Sequence, residues 1–308
     1  MSRVGESMQH GILLTGAARD LRSGEKLYDA ATCDAQVLGE ASIGASLGAN
    51  RLLAKLESTP HTSAGPLASL IGRPVGAGFR AAVDTCVPEE RDAKTPLYLL
   101  LDDLPVASLI AGYADLYLSQ ADEPETKERR AAQSVKADIC AGWASEATMM
   151  QEIDRTGKIP TPLGPPAPRL ESDEDPSGWH AIPPLARGAM RRRRRIDVLP
   201  GETIEIDAMF RDSHVDSEGI ETVVHEYALL ATADPNNLEI LSCQATPRVL
   251  PWTECPRAAL SAGRLVGHCL DDLRRFVRAD LVGTSTCTHL NDLLRSLADV
   301  EPLLRYDR

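Results

Sequence analysis

The chain lacks every common cofactor fingerprint. It has no Gly-x-Gly-x-x-Gly after a predicted strand, no Walker loop and no Gly-x-Ser-x-Gly elbow. Redox and phosphoryl transfer lose ground with those motifs, and no organic cofactor is expected. What remains is lyase, isomerase or hydrolase chemistry, which side chains or a single metal can perform. Local Cys-x-x-Cys and His-x-x-x-His pairs are missing too, so spacing alone defines no metal site. Basic residues are in deficit, 33 Lys and Arg against 45 Asp and Glu, for a net charge of -12. That balance argues against nucleic acid as a partner, because neutralising phosphates needs a cationic face. No apolar core follows Met1 to Glu6, and no uninterrupted apolar run reaches the roughly 18 residues of a membrane span. With seven scattered cysteines, an odd number, the expected setting is the cytoplasm with reduced thiols and no membrane contact.

What is present is a chain of 308 residues, 43% hydrophobic, long enough for two modest domains with real cores. Residues 1–24 read as a ragged lead-in, and Lys26 to Leu38 and Asn50 to Pro60 as extended pieces on either side of the Gly/Ala/Ser-rich Gly39 to Gly48. Leu97 to Tyr117 and Thr126 to Met150 carry helical spacing. From Gly157 to Pro184 the composition turns to proline, glycine and acids, a stiff strap that continues no helix. The second half opens with Arg191 to Arg195 and then alternates. Ile204, Ile206 and Ala208 lie on one face, and strands around Val223 to Leu230 and Leu238 to Ala245 complete a three-stranded meander. Helical runs follow at Pro256 to Val266, Leu270 to Leu281 and Thr288 to Val300.

The halves resemble each other. Arg51 to Pro60 reads like Leu238 to Pro247, Leu70-Ile71-Gly72 like Leu265-Val266-Gly267, and Leu101-Asp102-Asp103-Leu104 like Leu290-Asn291-Asp292-Leu293. Duplication explains this most simply. The fold expected is α+β: an N-terminal degenerate repeat (1–156), a strap (157–189) and a C-terminal repeat carrying the site (190–308), each repeat an antiparallel meander packed with helices.

The candidate site gathers Arg211, Asp212, His225, Glu226, Tyr227, Cys255, Cys287, His289 and Asp292. His225 and Tyr227 are two apart and share a strand face, and Glu226 points the other way. Cys255 and Cys287 each precede a predicted helix, where backbone N–H groups favour a thiolate. Two chemistries stay open. Cys255, Cys287, His225 and His289 form a mixed N/S set that suits zinc or iron. Alternatively His225, Tyr227, Glu226 or Asp212 moves protons while Arg211 holds an oxygen. The bland alternative is that the cysteines are small buried hydrophobes and the Arg–Asp pair a structural ion pair. Arg191 to Arg195 either grips an anion or forms a solvated strand edge. Asp102 and Asp103 are read as a helix start or as catalytic acids, and Trp143, Trp179 and Trp252 as core or strap anchors.

Two resemblances rest on these residues. Over nearly the whole chain, Arg191 to Arg195, Arg211-Asp212, His225-Glu226-Tyr227, Cys255-Pro256 and Cys287-Thr288-His289-Leu290 resemble a bacterial family catalogued as a domain of unknown function. More distantly, Val223 to Val300 is similar to the NifU-type iron–sulfur scaffold. The carriers are a cysteine opening a small-residue helix, Gly267-His268-Cys269-Leu270-Asp271-Asp272, and a cysteine opening the last helix. That resemblance implies three converging cysteines, with Cys255 and Cys287 as the second and third and His225 or a neighbour near the first. The expected function is a lyase-type acid/base enzyme acting on a small apolar oxygenated molecule, such as an aromatic or terpenoid catabolite. A metal or iron–sulfur carrier and a non-catalytic scaffold are the alternatives.

Overall fold

The computed structural model describes residues 11–23, 35–60, 64–119 and 137–305. Two antiparallel sheets organise it. β1 (Ile12–Arg22), β2 (Gln36–Leu47) and β3 (Leu53–Thr59) form a three-stranded meander. β4 (Met190–Leu199), β5 (Ile204–Val215), β6 (Glu221–Ala233) and β7 (Ile240–Val249) form a four-stranded one. In the first half the helices are α1 (Ala64–Ala68), α2 (Phe79–Cys86), α3 (Pro88–Ala93) and α4 (Pro96–Ser119), and α5 (Thr148–Thr156) precedes the strap. The second half closes with a 3-10 segment at Cys255–Leu265, then α6 (Leu273–Asp280), α7 (Thr288–Ser296) and α8 (Val300–Arg305). The α+β class and the division into two sheet-and-helix halves are thus observed.

Several local expectations change. The lead-in contains β1, and the small-residue stretch around Gly39 to Leu47 is not a separator but the central strand β2. Small side chains suit it, since Ala41, Ile43, Ala45 and Leu47 face the core while β1 and β3 flank it on both edges. The expected helix from Thr126 lies partly in 120–136, outside the described residues. Its described part is turns and a 3-10 segment, Ala141–Trp143, before α5. Of the extended piece from Lys26, residues 26–34 lie outside the described residues. The second meander has four strands, because the arginine run is itself strand β4, paired along its length with β5.

α4 is the axle of the molecule. Leu97, Leu100, Leu101 and Leu104 enter the core of the first half. Val106, Ile110 and Ala114 pack with Met190 of β4 and Val224 of β6. By length and composition Pro96–Ala114 is apolar enough to cross a membrane, which the apolar-run criterion missed, but 67% of it is buried within the protein. Its two acids, Asp102 and Asp103, sit inside the helix rather than at its start.

The two halves share a hydrogen-bond frame at the residues whose sequences match. Gly72 N–H donates to the Leu53 carbonyl (2.7 Å), Leu53 N–H to Arg73 (2.9 Å) and Val75 N–H to Arg51 (2.9 Å). In the second half Gly267 donates to Ile240, Ile240 to His268 and Leu270 to Leu238, each at 2.9 Å. Gly72 and Gly267 both adopt positive φ (80° and 84°), as the turn requires of a residue without a β-carbon.

Between the halves runs a buried ion network. Asp102 accepts from Arg295 (2.8 Å) and Arg274 (3.0 Å), and Arg80 lies 3.4 Å away. Asp292 pairs with Arg80 (3.0 Å), Arg192 (3.2 Å) and Arg295 (3.2 Å). Asp212 takes both arms of Arg192 (2.6 and 2.7 Å), Asp103 pairs with Arg194 (2.8 Å) and Asp299 with Arg274 (2.7 Å). The solvated-edge reading of the arginine run therefore fails. Arg192 is 7% exposed, and its charge is matched by acids from β5 and α7. Arg193 turns outward to Glu171 of the strap (2.6 Å) and lies over Trp179. The pairing is reciprocal across the halves, with Arg80 of α2 on Asp292 of α7 and Arg274 of α6 on Asp102 of α4.

Removing one member of such a network strands the others in a low-dielectric interior, at a cost of about 3–5 kcal/mol. Asp102→Ala is expected to lower unfolding stability by that order, seen as a lower denaturant midpoint with an unchanged slope. A loss below about 1 kcal/mol would contradict the account. Burial works to raise the Asp102 pKa, but Arg295, Arg274 and Arg80 prevail and hold it at about 2. Its contribution is therefore full above about pH 4, where the unfolded carboxyl is also ionised, and is lost as pH falls through about 2.

Candidate functional site

The strap crosses back over α4, and with it lines a cavity of about 450 Å³. Tyr113 of α4 donates its hydroxyl to the Pro162 carbonyl, and the strap bonds to the edge of β6 through Ala167 N–H to Glu221 (2.8 Å) and Val223 N–H to Pro165 (2.9 Å). A β-carbon on Gly164 would lie 1.8 Å from the Val223 carbonyl oxygen, so glycine is required for this approach. The floor is apolar: Leu109, Ile110, Ile139, Met149, Ile159 and the faces of Trp143 and Trp252. Set into that wall are His225, His289, Cys140, Cys255 and Cys287. Volume and lining suit a small organic ligand.

Strand alternation brings the sequence candidates to two different places. On the cavity side, His225 pairs across the strands with Asp212, and Tyr227 with Phe210. His225 Nδ1 lies 3.6 Å from Asp212 Oδ2, just beyond hydrogen-bond reach, and its ring stacks on His289 at 3.9 Å between centroids. Tyr227 is fully buried beneath the wall, does not line the cavity, and donates its hydroxyl to the Cys255 carbonyl (3.4 Å). Burial pushes its pKa far up, so a proton-moving role for it is not what this placement suggests. On the opposite face Arg211 is ion-paired with Glu226 and donates to the Pro168 carbonyl (2.5 Å). Neither reaches the cavity, so no oxygen-holding role follows for Arg211 or proton-moving role for Glu226. Asp292 belongs to the ion network.

Both imidazoles are neutral near pH 7. Burial, then His289 and Arg192, push His225 well below its usual value against the opposing pull of Asp212. Burial and Arg192 take His289 to about 3. The thiols are protonated rather than the expected thiolates. Burial, reinforced by Cys140, raises Cys255 and Cys287 to about 12, and the segment opened by Cys255 is a 3-10 turn with little dipole to offset burial. Cys140 is the residue that sequence reasoning missed. It lies outside the second half, and no local motif announces it. Trp143 N–H donates to its carbonyl (3.0 Å), and its side chain joins those of Cys255 and Cys287 in the cavity wall.

As a metal centre, the closest donor set among the described residues is Asp212, His225 and His289, with ligand atoms within 4.8 Å of one another. It suits a cation poorly. Both Asp212 oxygens are engaged by Arg192, whose own charge faces the site. Stacked imidazoles also hold their in-plane lone pairs parallel instead of converging. The thiols of Cys140, Cys255 and Cys287 are softer donors, but among the described residues their sulfurs do not gather within 4.8 Å of one another as the Asp212 set does.

Fold and site define an α+β protein with an imidazole-and-thiol wall on a largely apolar cavity. Residues 190–302 match the model of a family described as "Protein of unknown function (DUF2889)". The match takes in β4 to the start of α8, hence Arg192, Asp212, His225, Cys255, Cys287 and His289. It leaves out Cys140, α4 and the strap, whereas the resemblance read from the sequence ran over nearly the whole chain. No curated protein matches the chain, and no solved structure does.

Burial orders the thiols. Alkylation of the native protein with iodoacetamide at pH 8 is expected to label Cys86 and Cys269 well before Cys140, Cys255 and Cys287, as read by peptide mass spectrometry. Preferential labelling of Cys255 or Cys287 would show a thiolate there and contradict this electrostatic picture.

Proposed function

We propose that the protein is an acid/base catalyst of lyase type, working without an organic cofactor on a small, largely apolar oxygenated molecule held in the 450 Å³ cavity. The observation that carries this reading is the neutral, stacked His225–His289 pair in an apolar wall, with Asp212 behind His225. A neutral imidazole can take a proton from a substrate C–H or O–H, and the imidazolium so formed returns that proton to the leaving fragment. The carboxylate stabilises the imidazolium as it forms, and Arg192 fixes that carboxylate in place through both of its oxygens. The apolar lining lowers the local dielectric, which strengthens these interactions while the proton is in transit. An aromatic or terpenoid skeleton suits the two indole faces and the aliphatic floor.

A second reading is favoured by one observation, the presence of Cys140, Cys255 and Cys287 together in the wall of one cavity. Zinc or iron held by these thiols, with His289 beside them, would make the chain a metal or iron–sulfur carrier, or supply a Lewis acid to the same cavity. Binding would drive the three thiols to thiolates and release protons.

Incubation with a panel of aromatic and terpenoid alcohols, ketones and acids, followed by mass spectrometry, is the test of the first reading. His225→Gln is expected to lower kcat/KM on any substrate found by at least about 100-fold with stability retained. Equal turnover by wild type and variant would refute it. Elemental analysis of protein purified without chelator tests the second: near one metal per chain, lost in Cys140→Ser, supports it, and metal-free wild type refutes it.

A further inference from the structure

The matched frame of the two halves singles out Arg51. Its counterpart Leu238 has the same left-handed backbone (φ 57° and 60°), and both carbonyls accept the same third hydrogen bond of the frame. Leu238 packs against the core of the second half. Arg51 instead lines the cavity, beside α4. Its guanidinium lies on Gly112, where an added β-carbon would meet Nη2 at 2.5 Å. Glycine inside a long buried helix is disfavoured by its backbone freedom, and here it clears the path of the guanidinium. Around the cavity the described lining residues include one cation, Arg51, and no carboxylate.

We propose that Arg51 binds an anionic group of the ligand, so that the substrate class is a small apolar acid, such as an aromatic carboxylate. The assignment rests on the cavity being the ligand site, as the acid/base reading holds. A guanidinium presents five donors in a planar fork, so one engaged within the protein still has donors for a carboxylate. Set in a mostly apolar lining, that charge-assisted pair discriminates strongly against a neutral ligand of the same shape. The two halves of the protein then divide the work: the first contributes the anchor from the β2–β3 turn, the second the histidines from β6 and α7.

Titration calorimetry of the full chain with 2-naphthoate and its neutral counterpart 2-naphthamide reads this without turnover. Wild type is expected to bind naphthoate at least tenfold more tightly. Arg51→Gln and Gly112→Ala, which pushes the guanidinium aside, should each abolish the preference, and unchanged naphthamide affinity reports an intact fold. Equal binding of the two probes by wild type, binding of neither, or a preference surviving either substitution overturns the proposal. Because His225→Gln should keep the preference, loss of catalysis in that variant and loss of anion selectivity in Arg51→Gln fail independently.

Discussion

Everything in this molecule depends on arginines and aspartates meeting out of water between its two halves. A guanidinium or carboxylate buried alone is prohibitively unfavourable, so each of Arg80, Arg192, Arg274, Arg295, Asp102, Asp212 and Asp292 specifies where its partners must be. The partners come from α2, α4, β4, β5, α6 and α7, so that correct pairing is correct docking of the halves. Apolar packing of Ile110 and Ala114 on Met190 and Val224 supplies adhesion, and the ion pairs supply register.

That register builds the site. Arg192 holds Asp212 from behind, Asp212 faces His225, and His225 stacks on His289, a chain leading from the interface to the cavity wall. The arginine that fixes the carboxylate also helps depress the histidines, so a stability device and a functional one share a charge. The halves have parted in use: both keep the Gly72 and Gly267 turn frame, and one presents Arg51 to the cavity where the other packs a half-buried Leu238 against its core.

How much was legible follows from the range of the forces involved. Alternation at Ile204, Ile206 and Ala208 identified β5, and the two-residue spacing of His225 and Tyr227 put them on one face, because strand periodicity is local. Proline content marked the strap for the same reason. β2 was hidden because glycine, alanine and serine are weak strand formers, so the alternation of Ala41, Ile43, Ala45 and Leu47 read as a flexible separator. The arginine run looked like surface because its partners are distant in sequence: Asp103 and Asp292 lie in helices far from β4. Cys140 and Arg51 enter the cavity only through the packing of α4 and the strap, which no local motif encodes. Arg211 and Glu226 were placed in the site by their neighbours, yet alternation sends them to the opposite face, where they satisfy each other.

The most direct test of this chain of influence is the tautomer of His225, read from long-range ¹H–¹⁵N correlations of the imidazoles at pH 7. With Asp212 facing Nδ1, the ring should be neutral and carry its proton there, leaving the Nε2 lone pair as acceptor, and Asp212→Asn should disturb that preference. An imidazolium, or a proton resident on Nε2 in the wild type, would contradict the account.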